Sequence, residues 1–307
     1  LLTVGETWDA TPETAQLYSN PARNELSMVF QFEHITLLWE DGDKWKPKPL
    51  DLNAFKQVMI KWQLELSNNG WNSLFWNNHD LPRVVSKYGC DGQYRVESAK
   101  MLATTLHMMK GTPYIFQGEE IGMTNVAFDT LEEYKDIETL NFYRVKTESG
   151  VSHESMMKGI HANSRDNART PMHWDNSDNA GFTQGTPWIK LNPNYPEINV
   201  AAALEDKNSI FYHYQKLIAL RKQNPVIVYG DFIPLFEAHS AVFAYERKDN
   251  EQHFVVLNNF SAEPQTLELP EHIANRSVEC LISNLEPTTQ LGSDLTLAPY
   301  QSLVLAL

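Results

Sequence analysis

The strongest constraint on this chain is an alternation of uniformly apolar strand-like runs with helical patterns. Runs at residues 1–5, 26–32, 71–77 and 113–116 are too apolar for strands with one face in water. Between them, Phe55, Val58, Met59, Trp62 and Leu66 recur at helical spacing, as do Ala99, Leu102, Leu106 and Met109. Thr11-Pro12-Glu13 offers an N-cap, a first-turn proline and an early acid, with Asn20-Pro21 as the stop. Gly111 is placed to end the helix that carries Met109. Doubly buried strands joined by helices specify a parallel sheet covered by helices. Four such units are half of what a closed (β/α)8 barrel needs, which takes about 250 residues.

Residues from about 121 to 207 read as a long insertion, with helices predicted near 131–146 and 153–162 and a Pro/Asn/Gly-rich stretch to 200. Loops of that length in compact domains are functional or disordered, and the Trp, Met and Arg content favours an ordered one. Ser209 is the expected cap of a further helix, whose Ile210, Tyr214, Leu217 and Arg221 share a face before Asn224-Pro225. From Gly230 the pattern changes to short alternating runs at 241–245, 253–257, 266–269, 278–281 and 302–307, the signature of an all-β sandwich. The expected division is a barrel part over 1–228 and a β domain over 229–307.

A net charge of −14 over 307 residues, with a pI near 5.1, argues against nucleic acid or an anionic membrane as partner. No run approaches the roughly 18 apolar residues of a membrane span. Cys90 and Cys280 are far apart and give no metal spacing; their number suits a reducing, cytoplasmic compartment. His34, His79, His107, His161 and His173 show no short ligand spacing, so no metal or cofactor is expected in this chain. The chain opens inside a strand without a charged leader, and its true beginning is expected to lie upstream.

The third apolar run ends in Trp76-Asn77-Asn78-His79-Asp80-Leu81-Pro82-Arg83. Charges leave water only when paired or working, and ionisable residues at the C-terminal end of a barrel strand read as chemistry. The first run also ends in a carboxylate, Glu6. Two carboxylates at two strand ends are what glycosidic-bond cleavage requires. Thr3-Val4-Gly5-Glu6-Thr7-Trp8 and Asn78-His79-Asp80-Leu81-Pro82-Arg83 resemble two signature regions of the α-amylase family, glycoside hydrolase family 13. Arg165-Asp166-Asn167-Ala168-Arg169-Thr170-Pro171-Met172 with Trp174-Asp175 resembles its oligo-1,6-glucosidase branch. Thr7-Trp8 with Leu26-Ser27-Met28-Val29-Phe30-Gln31-Phe32-Glu33-His34 is similar to the bacterial dextran glucosidases of that branch. The resemblance spans almost the whole chain. It makes the four units the fifth to eighth of the barrel, so the expected architecture is α/β: the C-terminal half of a (β/α)8 TIM barrel followed by an all-β sandwich.

The resemblance implies a retaining, exo-acting α-glucosidase that hydrolyses α-1,6 bonds at the non-reducing ends of isomaltooligosaccharides and dextran. Glu6 would be the proton donor, a role that calls for a raised pKa; otherwise it is a capping glutamate. Asp80 would hold sugar hydroxyls and stabilise the oxocarbenium-like state, against the alternative of an Asx cap before Pro82. His79 would donate to the same ring, and Arg165 would grip the non-reducing end with an upstream aspartate. The alternative for Arg165 and Arg169 is a structural ion pair with Asp166 or Asp175. Trp8, Lys44 and Glu138 resemble residues of the first leaving-group subsite, although on sequence alone Lys44 and Glu138 read as solvated charges. Asn78 and Arg83 would position the strand end.

The family's nucleophile, an aspartate in a Gly-Phe-Arg-x-Asp pattern, does not occur here. The chain alone is therefore expected to be inactive and to need the N-terminal half as partner, where a structural calcium would also lie. Trehalose-6-phosphate hydrolase, a broad α-1,4-glucosidase or sucrose-type hydrolase, and a non-catalytic assembly domain are the alternatives. Glu6, His79 and Asp80 together speak against the last.

Overall fold

Thr11 and Thr14 exchange side-chain-to-backbone hydrogen bonds, a capping box that starts α1 (Pro12–Ser19) soon after β1 (Val4–Glu6). The computed structural model describes residues 1–307. β2 (Met28–Phe30) pairs in parallel with β1, Val4 opposite Met28. A short α2 (Glu33–Thr36) and a hairpin of β3 (Trp39–Glu40) and β4 (Asp43–Pro47) precede α3 (Leu52–Glu65), capped by Asp51. β5 (Ser73–Leu74) joins β2 through the parallel bridge Val29–Asn72. After α4 (Val84–Tyr88) and α5 (Arg95–His107), β6 (Thr112–Pro113) pairs in parallel with β5. The staves thus stand in the order β1-β2-β5-β6, with all their C-terminal ends on one rim.

The ladders are shorter than the apolar runs. Phe75, Trp76 and Asn77 are buried beyond the end of β5, because side-chain packing rather than pairing makes that segment apolar. No strand pairs with the outer edge of β1 or of β6, and Leu1, Leu2, Val4 and Ile115 are exposed there. Gly111 does not end α5, which stops at His107. It sits at φ +137°, where a Cβ would fall 2.5 Å from the Asn72 carbonyl oxygen, so its role is the close approach of β6 to β5.

In the insertion, the helix expected near 131–146 begins later, as α6 (Ile137–Glu148), after a single 3-10 turn at Leu131–Glu133. Asp136 sets the start by accepting from the Glu138 and Thr139 amides. α7 (His153–Asn163) lies against β4, and Trp45, Phe128, Tyr134, Met156 and Ile160 form a small core between them. A Cβ on Gly159 would run into the Trp45 carbonyl. α8 (Asp166–Arg169) and α9 (Val200–Glu205) follow.

α10 (Ile210–Gln223) and α11 (Pro225–Tyr229) lead into the β domain. Ser209 holds the cap position of α10 without capping it; its hydroxyl donates to the Ala203 carbonyl at 2.6 Å instead. β7 (Asp231–Leu235), β8 (Val242–Lys248), β9 (His253–Asn259), β11 (Glu279–Ser283) and β13 (Ser302–Ala306) form an antiparallel sheet, ordered β11-β13-β9-β8-β7. β10 (Gln265–Glu268) and β12 (Asp294–Leu297) pair with each other opposite it.

The alternation within β8 and β9 separates two cores. Val242, Ala244, Val255 and Leu257 point into the sandwich, while Phe243, Tyr245, Phe254 and Val256 join the barrel core. This second burial explains why α5 is buried on every side over residues 98–107. Lys56 of α3, 1% exposed, reinforces the junction by donating to the carbonyls of Phe236, His239 and Val242.

Candidate active site

Glu6 is the last residue of β1 and stands exposed on the rim. The Trp8 indole nitrogen donates to its Oε1 at 3.2 Å. One face of Trp8 stacks on Phe32, centroids 4.0 Å apart at 14°, and the side chain remains 42% exposed. Phe32, 1% exposed, packs against Phe75. Trp39 also lies near-parallel to the Trp8 indole, centroids 6.2 Å apart, and the part of the indole left exposed is a surface on which a sugar CH face can stack.

Asp80 lies six residues past the end of β5, in a turn set by the Asn78 side chain accepting from the Asp80 amide at 2.8 Å. Its Oδ1 takes a hydrogen bond from Arg169 Nη2 at 2.5 Å and has Arg165 Nη1 at 3.8 Å. His79 Nε2 lies 3.6 Å from Oδ2, and Arg169 Nε donates to the His79 carbonyl at 2.9 Å. Arg165 donates through Nε and Nη2 to Asp136 Oδ1, at 2.9 and 2.6 Å. Its Nε also lies 3.3 Å from Glu138 Oε2, which accepts from Lys44 Nζ at 2.6 Å. His79, Asp80, Arg165, Glu138 and Lys44 therefore form one charge network, while Glu6 and Trp8 form a separate pair on the same rim.

Burial pushes the Asp136 carboxyl up, but hydrogen bonds from Arg165 and Thr139 outweigh it and hold the group below the ordinary carboxylate range. The same bond, donated to Asp136, raises the pKa of Arg165. Asp136 was absent from the expected site, and so was Arg169 as a partner of Asp80. The expected alternative partners, Asp166 and Asp175, take neither arginine. Asp166 is turned inward and accepts the Lys135 and Asp136 amides at 2.6 and 3.0 Å, while Asp175 accepts from Ser177. The cap-like spacing Asp136-x-x-Thr139 was the one local signal for Asp136.

Arg83 positions the site rather than facing it. It is 1% exposed and donates to the carbonyls of Asn167, Gln117 and Ala168 at 3.0, 2.5 and 3.2 Å. These bonds tie the segment carrying Arg165 and Arg169 to the end of β5. Burial lowers its pKa only to about 10, so it stays charged. Glu119 lies buried beneath the rim, its carboxyl pushed up to about 7 by burial while it accepts from the Tyr214 hydroxyl at 2.6 Å. No three His, Cys, Asp or Glu side chains are grouped to hold a metal ion.

The four parallel staves and the β domain behind them are both matched in sequence comparison. A family model described as the alpha amylase catalytic domain matches residues 1–230, and one described as the alpha-amylase SusG C-terminal domain matches residues 242–304. The chain belongs to the α-amylase family. It is 53% identical to the oligo-1,6-glucosidase of Bacillus cereus, covering 100% of this chain and 55% of that protein. It is 54% identical to the palatinase of Erwinia rhapontici, covering 99% and 56%. Proteins named glucan 1,6-alpha-glucosidase are among its relatives too. The crystal structure of Bacillus licheniformis trehalose-6-phosphate hydrolase superposes with a TM-score of 0.95 at 44% identity, covering 99% of this chain and 56% of that one. The chain spans about half the length of the curated relatives it matches, and the architecture is the C-terminal half of the α-amylase barrel with its β domain.

Proposed function

We propose that the full-length protein is a retaining, exo-acting α-glucosidase that hydrolyses α-1,6-glucosidic bonds at the non-reducing ends of isomaltooligosaccharides and dextran. Glu6 gives its proton to the leaving sugar oxygen and then activates the water that releases glucose. Asp80 and His79 hold hydroxyls of the reacting ring, and the bond to Asp80 strengthens as positive charge develops there. Arg165 fixes the ring from the side of Asp80. Trp8, Lys44 and Glu138 contact the leaving glucose, the indole by stacking and the ion pair by hydrogen bonds to its hydroxyls. The nucleophilic aspartate belongs to residues outside these 307, so the chain alone does not turn over substrate. Two unpaired cysteines, Cys90 and Cys280, fit a cytoplasmic enzyme.

The observation that carries this reading is the shared rim: Glu6 ends one parallel stave, and the Asp80–Arg165–Glu138–Lys44 network lies beyond the end of another. The test is Glu6→Gln in the full-length protein. Its kcat on isomaltotriose should fall about 10²–10⁴-fold. On a nitrophenyl α-glucoside, whose leaving group needs no proton, the loss in the glycosylation step should be much smaller. An equal loss on both substrates, or none, would remove Glu6 from the role.

The likeness to a trehalose-6-phosphate hydrolase supports a second reading, a hydrolase of a phosphorylated disaccharide. The rim cations weigh against it. Lys44 lies on Glu138, Arg165 on Asp136 and Arg169 on Asp80, so each is already matched by a carboxylate before a phosphate arrives. Isomaltotriose and trehalose 6-phosphate assayed in parallel separate the two.

A further inference from the structure

Away from the rim, α5, α10 and the turn after β11 enclose a polar cavity of about 300 Å³. In a chain of net charge −14, its wall nevertheless carries Lys100, Lys207 and Lys216, with Glu286 as the one carboxylate. Lys100 is 7% exposed, and its ammonium has no hydrogen-bond or ion-pair partner within the chain. Asp206 and Glu97 act on it only from a distance, and burial depresses its pKa. With its stem buried and no carboxylate in contact, its ammonium reaches the cavity without a counter-charge of its own. Lys207 is held against Tyr212, its Nζ 2.5 Å from the hydroxyl and 4.1 Å from the ring centroid. Lys216 is exposed and pairs with no carboxylate.

The start of α10 forms part of the same wall. Ser209 lines the cavity at the cap position, but its hydroxyl is committed to the Ala203 carbonyl, so no side chain caps the first-turn amides. Ser209, His213 and Lys216 bring one side of the start of α10 to the wall, beside the positive end of a fourteen-residue helix. His213, one turn on, is buried and pushed down to about 3 by desolvation, with Lys100 and Lys216 adding to the shift. It is neutral and pairs through Nε2 with the Thr104 hydroxyl at 2.8 Å. None of these groups belongs to the rim site.

We propose that this cavity binds a phosphate group, held by Lys100, Lys207, Lys216 and the start of α10, and that the bound anion ties the barrel helices to the β domain. Charge-assisted bonds from ammonium groups and helix amides to phosphate oxygens are the chemistry that this wall can supply. The phosphate comes either as the free ion or as a small monoester.

Isothermal titration of the full-length protein with inorganic phosphate, at ionic strength fixed by sodium chloride, tests it. One phosphate per chain should bind saturably and raise Tm. Lys216→Gln, an exposed substitution that leaves the core intact, and Lys100→Gln should each weaken binding about tenfold or more. Glycerol 3-phosphate in place of phosphate identifies the source: tighter binding marks a monoester, equal or weaker binding the free ion, and either supports the site. Absence of saturable binding, or unchanged affinity in Lys216→Gln, would overturn the proposal.

Discussion

Asp136 accepts two nitrogens of Arg165 while capping α6, and its side chain is 0% exposed. Asparagine can keep the cap but not the charge. Asp136→Asn should therefore cost roughly 2 kcal/mol at neutral pH, less than a fully buried pair because Arg165 is 24% exposed. It should also raise KM as Arg165 loosens. The folded pKa is depressed, so the stabilisation is present above the ordinary value of 3.8 and is lost as the pH falls through the folded value. The gap in Tm between the native protein and the variant should accordingly close in acid.

Glu119 has the opposite sign. Its carboxyl is raised from 4.5 to about 7, so folding is favoured below 4.5 and increasingly penalised as the pH climbs through 7. Glu119→Gln, which can still accept from Tyr214, should stabilise by up to about 3 kcal/mol near pH 8. Urea midpoints should show that gain vanishing in mild acid. At this scale the strand-end pattern was legible: His79, Asp80 and Arg165 fall in one cluster, and Glu6 ends a stave on the same rim. The Arg165–Asp136 and Arg169–Asp80 pairings were not, because a partner 29 or 89 residues away leaves no local period.

α5 shows what an element adds. The carbonyls of its last residue, His107, and of Met109 and Gly111 just beyond it are satisfied by Arg221 of α10, at 2.8 Å for the first two. Arg221→Met leaves those acceptors buried without donors and should destabilise by about 2–4 kcal/mol, read from the denaturant midpoint. Gly159→Ala pushes α7 off the Trp45 backbone, moving the hairpin that carries Lys44. It should raise KM for oligosaccharides more than it lowers kcat. The helices were legible from apolar spacing and caps. The β3–β4 hairpin was not, since a two-residue strand has too few positions to show alternation.

For the whole molecule, the large core runs from the barrel staves through α3 and α5 into one face of the five-stranded sheet. Barrel part and β domain should therefore unfold in a single calorimetric transition, and two resolved transitions would contradict the shared core. The sequence divided the chain into these two parts but did not disclose that they share a core. Strands buried on both faces by different partners read locally like an ordinary sandwich.

The proposed function divides the chemistry: acid, ring-binding and leaving-group residues would lie in this chain and the nucleophile elsewhere in the protein. Glucose release from isomaltotriose by the full-length protein and by the 307-residue chain, followed side by side, tests it directly. The full-length protein should release single α-glucose units, and the chain alone none. Turnover by the chain alone, or release of β-glucose by the full-length protein, would contradict it.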